Sequence, residues 1–209
     1  DVYKRQVPVV LTLGTKYVIE GNAEWWQEYI RDNVSVVAMN EEEGAALTGE
    51  TDPLAAADKA LEWVDLVLCT AGPDGLYMAG YTEEQVKRET THDILEGSID
   101  EFNKFEFSRA MRKEDCKQPM KVYSHIGPYL GGPLEIKNTN GAGDAALSAL
   151  LHDMAANSFH QKEVPNSEKH EVRCLTYSSL SQICKYANRV SYEVLTQHSP
   201  RLSLSLIHI

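Results

Sequence analysis

The segment NTNGAGDAALSALL, residues 138–151, places two glycines and an aspartate at the start of a predicted helix rich in alanine and leucine. Gly141 and Gly143 allow backbone conformations and close approaches that a side chain would block. A helix amino terminus presents unpaired N–H groups and a positive dipole end, which attract an anion and stabilise the charge of Asp144. The segment indicates a phosphate cradle with a catalytic base. A glycine-rich cap whose aspartate only stabilises the helix explains these residues equally well.

A second polar group, Asn40-Glu41-Glu42-Glu43, directly follows a predicted strand. Asn40 and Glu43 are one helical turn apart, so both side chains can face the same ion or water cluster. A magnesium ion that bridges nucleotide phosphates takes few protein carboxylates and several waters, which suits this pair. Acidic residues at a helix start are usually dipole partners, and that structural explanation is the stronger one for these residues taken alone.

A third segment, CTAGPDGLY at residues 69–77, ends a predicted strand at Thr70 and continues into a turn shaped by Gly72 and Gly75. A hydroxyl and free amides at the carboxyl end of a strand suit a nucleotide phosphate or ribose. An ordinary hairpin with Pro-Asp-Gly turn chemistry is the better explanation when the segment is considered by itself.

Short apolar runs alternate with helical patterns along the chain, which predicts an α/β fold with a mostly parallel sheet in one domain. Strands are predicted at residues 7–13, 34–39, 65–70, 75–80 and 121–129, the fourth as the hairpin partner of the third. Helices are predicted at residues 23–30, 40–49, 53–64, 98–112, from 141 onward and at 180–194, with Trp25, Trp26 and Trp63 at core positions.

The composition restricts the partners. The formal net charge of −11 disfavours nucleic acid and membrane surfaces, so a bound phosphate has to be held by local groups. The four cysteines lack a CxxC spacing and indicate reduced thiols in a cytoplasmic protein. Walker, HExxH and GxSxG motifs are absent from the sequence. Residues 1–6 and 203–209 fit no element and are interpreted as non-native sequence.

The order of the three segments is more specific than any one of them. A strand-end NxxE, a TxGxxG turn and [D/N]TxGAGD before a small-residue helix together resemble the ribokinase-like (PfkB) family of carbohydrate and nucleoside kinases. Longer segments of the chain are similar in sequence to the purine nucleoside kinases of this family. The resemblance covers residues 7–202 and implies a three-layer α/β/α fold that lacks the amino-terminal half and lid, with an insertion at about residues 82–137.

The resemblance implies ATP-dependent phosphorylation of a purine nucleoside 5′-hydroxyl, with ATP and Mg²⁺ as cofactors. Asp144 would be the general base, and the amides of Gly141, Ala142 and Gly143 would form the anion hole for the transferred phosphoryl group. Such chemistry needs mainly positioning and charge stabilisation from the protein.

For the nucleotide, the resemblance implies that Thr70, Gly72 and Gly75 line the phosphates and ribose of ATP, and that Asn188 lies beside the adenine. Asn40 and Glu43 would hold the water network of magnesium and phosphate. The partners implied are the nucleoside and ATP, with a homodimer for the full-length protein.

Two departures from the family pattern matter. Asn138 stands where the family usually has Asp near a monovalent-cation site, which leaves potassium as an open candidate cofactor. The chain is also expected to lack most nucleoside contacts, so we expect no turnover from it alone.

Two alternative functions are left open: a sugar kinase or adenosine kinase of the same family, and a non-catalytic nucleotide-binding module. A Rossmann dehydrogenase is disfavoured because its glycine fingerprint should follow the first strand.

Overall fold

The computed structural model of the chain describes residues 7–200. The two terminal segments that were interpreted as non-native, residues 1–6 and 203–209, lie outside the described residues. The strands are β1 Val10–Thr12, β2 Val36–Asn40, β3 Leu66–Thr70, β4 Leu76–Glu83 and β5 Pro119–Ile126. The α-helices are α1 Lys16–Glu20, α2 Ala23–Asn33, α3 Glu41–Thr48, α4 Pro53–Ala60, α5 Ala142–Glu163 and α6 Leu180–Leu195. No helix among these residues is long and apolar enough to cross a membrane.

The five strands form one sheet in the order β1-β2-β3-β4-β5. The first three are parallel, whereas β3 pairs with β4 and β4 with β5 in antiparallel fashion. The predicted α/β class is confirmed, and the sheet is mixed rather than mostly parallel. The reason is the tight Pro-Asp-Gly turn after β3, which reverses the chain at once and makes β4 a hairpin partner.

Helices cover both faces of the sheet, which gives the three layers. Alternate residues of one strand enter different cores because successive side chains of a strand point to opposite faces. Val37 and Val67 pack with the helices α1–α4, and Val36 and Leu66 pack with α5 and α6. The predicted apolar stripe of the last helix is buried at Leu180, Ile183, Cys184, Ala187 and Val194.

The prediction of a helix at residues 98–112 is wrong. The segment consists of turns, and Glu101 adopts a positive φ of 64° that interrupts any helix. Two of its polar side chains are buried: Asn103 Oδ1 accepts a hydrogen bond from the Leu95 N–H at 3.0 Å, and Glu106 Oε1 accepts one from the Thr90 hydroxyl at 2.8 Å. These bonds hold the loop 84–96 in place, a role that charge periodicity could not indicate.

Two burial predictions also need correction. Trp63 is buried, but Trp25 is 54% exposed and stacks on the Tyr29 ring at the surface. Val7 and Val9, expected in a buried strand, are 68% and 41% exposed. Both residues precede β1, which begins at Val10 and is the edge strand of the described sheet, with only β2 as a neighbour.

Candidate phosphate-binding site

The carboxyl ends of β2, β3 and β5 meet at one edge of the sheet. The strand β5 points in the same direction as β1–β3 because both lie antiparallel to β4. The pairing registers align Asn40, Thr70, Leu76 and Ile126 in one row across the sheet. The loops that leave this row therefore emerge side by side, where open α/β sheets bind their ligands.

The glycine turn after β3 packs against the loop after β5. Gly75 has a φ of +91°, and a Cβ atom there would lie 2.0 Å from the Ile126 carbonyl oxygen, so only glycine fits. Asn188, which is 8% exposed, donates its side-chain N–H to the Gly127 carbonyl at 2.7 Å. The structure thus brings the predicted Gly75 and Asn188 together through Gly127. Sequence reasoning missed Gly127, although the Gly-Pro pair after β5 was a usable signal.

Asn40 and Glu43 form a capping box at the start of α3. The Asn40 side chain accepts a hydrogen bond from the Glu43 N–H at 2.8 Å, and Glu43 Oε2 accepts one from the Asn40 N–H at 3.0 Å. Glu43 is 5% exposed. Burial raises the pKa of its carboxyl group; the Asn40 hydrogen bond opposes this shift, and the nearby Glu41 and Glu42 add to it.

This geometry favours the structural explanation of the pair. Among residues 7–200, no three His, Cys, Asp or Glu side chains are grouped so that they could hold a metal ion. Both side chains are engaged in the capping box, so a magnesium ion would contact Asn40 and Glu43 through intervening water.

Glu43→Gln tests the energetic role of this carboxyl group. Gln keeps the capping-box acceptor and removes a buried charge, so the variant should be as stable as the parent or more stable at pH 7. A raised folded-state pKa means that the parent loses stability as pH rises from 4.5 through that pKa. The gain of the variant should therefore be present at pH 7 and vanish near pH 4 in urea unfolding. A variant less stable at pH 7 would contradict this prediction.

The proposed cradle lies at the start of α5. Gly141 adopts the left-handed conformation at the N-cap, with a φ of 83°, and α5 begins at Ala142. Gly143 and Asp144 are exposed in the first helical turn. The Ala142 N–H donates to the Thr139 carbonyl in a long 3.4 Å hydrogen bond, so it is partly engaged. The exposed first turn leaves Gly143 and Asp144 accessible to a ligand.

The last residue of α6 and residues that follow it hold this loop in place. The Lys137 N–H donates to the Leu195 carbonyl at 2.9 Å, and the Asn138 side-chain N–H donates to the His198 carbonyl at 3.2 Å. A Cβ on Gly141 would lie 3.0 Å from Pro200 Cβ. No sequence pattern indicates that these residues contact the loop. The hydrogen bond between Asn138 and His198 gives a physical reason for an amide at position 138, because a carboxylate cannot donate to the His198 carbonyl.

A cavity of about 950 Å³ lies elsewhere, beside the first two turns of α6, where Ser179, Gln182 and Lys185 form part of its wall. None of the predicted site residues lines it. We place the candidate site at the sheet edge, because Thr70, Gly75 and Asn188 lie there, whereas the size of a cavity alone indicates no chemistry.

Known proteins that resemble the chain bear on its family rather than on the site. No family model matches the chain. Guanosine-inosine kinase of Escherichia coli K12 is 68% identical over 203 residues, which is 97% of this chain and 47% of that protein. The chain thus spans about half the length of the curated relatives it matches.

Solved structures show the same fold at low identity. A probable sugar kinase from Rhizobium etli matches with a TM-score of 0.60 and 15% identity, over 99% of this chain and 44% of that one. Adenosine kinase from Sinorhizobium meliloti matches with a TM-score of 0.59 and 16% identity, over 99% of this chain and 45% of that one. The sequence match and the shared architecture agree with the motif order NxxE, TxGxxG and NTxGAGD. The chain therefore resembles guanosine-inosine kinase over almost its whole length and shares the α/β fold of the ribokinase-like (PfkB) kinases.

Proposed function

We propose that the protein to which this chain corresponds phosphorylates the 5′-hydroxyl of inosine or guanosine with ATP, giving IMP or GMP in purine salvage. The chain would supply the ATP side of the site and the catalytic base. The 68% identity to a protein named guanosine-inosine kinase supports the choice of nucleoside. The relative is about twice as long as the match, so we expect no nucleoside phosphorylation by this chain alone.

The observation that carries the proposal is the environment of Gly143. Its φ is not in the left-handed region, and a Cβ atom there would meet no other atom within 4 Å. Neither backbone conformation nor packing therefore requires glycine at this exposed position. Glycine in a helix costs about 1 kcal/mol relative to alanine. Space for an anion at the helix amino terminus accounts for that cost.

The transfer needs little covalent work from the protein. Asp144 would accept the proton of the nucleoside 5′-hydroxyl as its oxygen attacks the γ-phosphorus of ATP, and ADP would leave with the electron pair of the broken P–O bond. The N–H groups at the start of α5 would stabilise charge on the transferred phosphoryl group. Magnesium, when bound, would neutralise phosphate charge, with Asn40 and Glu43 holding its waters.

Two other functions are compatible with the fold. A sugar or adenosine kinase would use the same cradle with a different acceptor pocket, and a non-catalytic nucleotide-binding module would keep the cradle without transfer. Potassium remains a candidate cofactor, and a homodimer remains our expectation for the full-length protein. The identity with the E. coli relative favours the purine nucleoside kinase over all of these.

A chimeric kinase, in which this chain is joined to the part of the E. coli relative outside the matched region, tests the function. ATP binding is titrated with and without magnesium, and phosphoryl transfer is then measured on inosine, guanosine, adenosine, ribose and fructose, in potassium and in sodium. We expect magnesium-dependent transfer to inosine and guanosine. Preference for a sugar or for adenosine, or ATP binding without transfer, would support one of the other functions instead.

A further inference from the structure

Two histidine side chains meet beside the last turn of α5. His160 Nδ1 lies 2.7 Å from His170 Nε2, a hydrogen-bond distance that joins α5 to the loop after it. Such a bond needs an N–H on one ring nitrogen and a lone pair on the other. When both imidazoles are protonated, each facing nitrogen carries a hydrogen and no acceptor is left. The bond therefore exists only while at least one of the two rings is neutral.

Positive charges lie close to this pair. Removal from water contributes most to lowering the pKa of His170. The charges of His160, Arg109 and Lys169 lower this pKa further, and a hydrogen bond with His160 opposes the shift. The Tyr177 ring meets the His160 ring edge-on, with 5.3 Å between the centroids. The other charged side chains near the pair on α5 and on the loop are exposed, where water and salt screen them: Lys162, Glu163, Glu168 and Glu171. A second positive charge on the pair is therefore unfavourable.

Two further contacts hold the loop. Arg109 Nη1 donates to the Lys169 carbonyl at 2.6 Å, and the Lys169 ammonium lies 3.1 Å from the centroid of the Tyr177 ring. Arginine and lysine keep their charge between about pH 5 and about pH 8, whereas histidine titrates in this range. Of these contacts, the one between the two histidines is therefore the one that responds to pH.

The same loop forms part of the wall of the cavity of about 950 Å³ beside α6. Glu168, Lys169 and Glu171 line this cavity from the loop. Arg88 and Phe107 line it from another segment of the chain. A movement of the loop away from α5 would therefore remove part of this wall and open the cavity further to water.

We propose that His160 and His170 form a pH-sensitive latch, which holds residues 164–172 against α5 at neutral pH and releases them when both imidazoles are protonated. A lowered pKa of His170 means that the closed loop takes up the second proton less readily than the open loop. The stability of the closed loop is therefore complete above about pH 6.5, the ordinary pKa of histidine, and is lost as pH falls through the lowered value. The inference does not depend on the proposed function.

Hydrogen exchange in the chimeric kinase tests the latch between about pH 7.5 and about pH 5, with rates corrected for the intrinsic pH dependence of exchange. The reporter is the Glu171 amide, which donates to the Glu168 carbonyl at 3.2 Å within the loop. We expect its protection to fall about tenfold or more across this range, because release of the loop exposes the amide to water. The Ile183 amide, which donates to the Ser179 carbonyl in α6, should keep its protection.

Three variants assign the effect to the two histidines. His170→Gln removes a group that titrates, so protection at Glu171 should become independent of pH. His170→Arg places a permanent charge beside Arg109 and Lys169, and it should lower that protection about tenfold at neutral pH. His152→Gln is the matched control, because His152 is exposed on the same helix, and this variant should keep the pH dependence of the parent.

Four outcomes would overturn the inference. Protection at Glu171 may not change with pH in the parent, its pH dependence may persist in His170→Gln, or His170→Arg may be as protected as the parent. The fourth is a simultaneous loss of protection at Glu171 and Ile183, which would indicate global unfolding in acid in place of a latch. Kinase activity is not a readout, so a failure of the proposed function would leave these results unaffected.

Discussion

Replacing Asp144 by Asn is expected to lower kcat of the chimeric kinase by about 10²- to 10⁴-fold, the usual contribution of a general base. The amide of Asn cannot accept the proton of the nucleoside hydroxyl at neutral pH. Asp144 is exposed in the first turn of α5, so loss of its charge removes only a dipole interaction of about 0.3–1 kcal/mol. ATP affinity should be equal or slightly higher, because a negative charge near the phosphates is removed. Steady-state kinetics and ATP titration measure both quantities.

Ser148→Ala is the matched control for this variant. Ser148 lies one turn further along α5, and its hydroxyl donates to the Asp144 backbone carbonyl at 2.8 Å. The substitution should leave kcat nearly unchanged, since it alters only a backbone contact. An unchanged kcat in Asp144→Asn would exclude this residue as the base, and unfolding of that variant would favour the explanation that Asp144 only stabilises the helix.

Gly75→Ala should destabilise the protein by about 4 kcal/mol or more, at the upper end of the range for single substitutions. The new Cβ would lie 2.0 Å from the Ile126 carbonyl oxygen, which is backbone and cannot move alone, and the φ of +91° adds strain. In a chain of 209 residues this loss corresponds to a fall in Tm of about 8–16 °C. Thermal unfolding followed by circular dichroism measures it.

Gly49→Ala separates the steric overlap from backbone strain. Gly49 ends α3 with a φ of +82°, but a Cβ atom there would meet nothing within 4 Å. The variant should therefore lose only about 1 kcal/mol, the cost of a left-handed conformation in a residue with a side chain. Equal losses in the two variants would show that the contact between Gly75 and Ile126 is not the cause.

Local chemistry determined the features that sequence reasoning predicted correctly. The Pro-Asp-Gly turn after Thr70 predicted the hairpin of β3 and β4, and Asp52 with Pro53 predicted the start of α4, where the Asp52 side chain accepts a hydrogen bond from the Ala55 N–H. The apolar spacing predicted the buried stripe of α6. These signals are short-range, because they depend on residues at most a few helical turns apart.

Burial at the edge strand and the conformation of residues 98–112 could not be predicted in this way. Whether Val9 is buried depends on which strand lies beside β1, and sequence pattern contains no information on the neighbour. The charged pattern at 98–112 suited a helix, but Asn103 and Glu106 instead accept hydrogen bonds from loop residues 8 and 16 positions earlier in the chain. Partners that are distant in sequence decided both cases.

The sequence by itself determined the α/β class and the order of the motifs that resemble the ribokinase-like (PfkB) family, because motif chemistry and hydrophobic periodicity are encoded locally. Tertiary structure alone decided that Gly127 joins Gly75 to Asn188 and that residues 195–200 hold the cradle loop. The physical reason is that hydrogen bonds and close packing act over a few ångströms in space, and only the folded chain brings residues 60 positions apart to that distance.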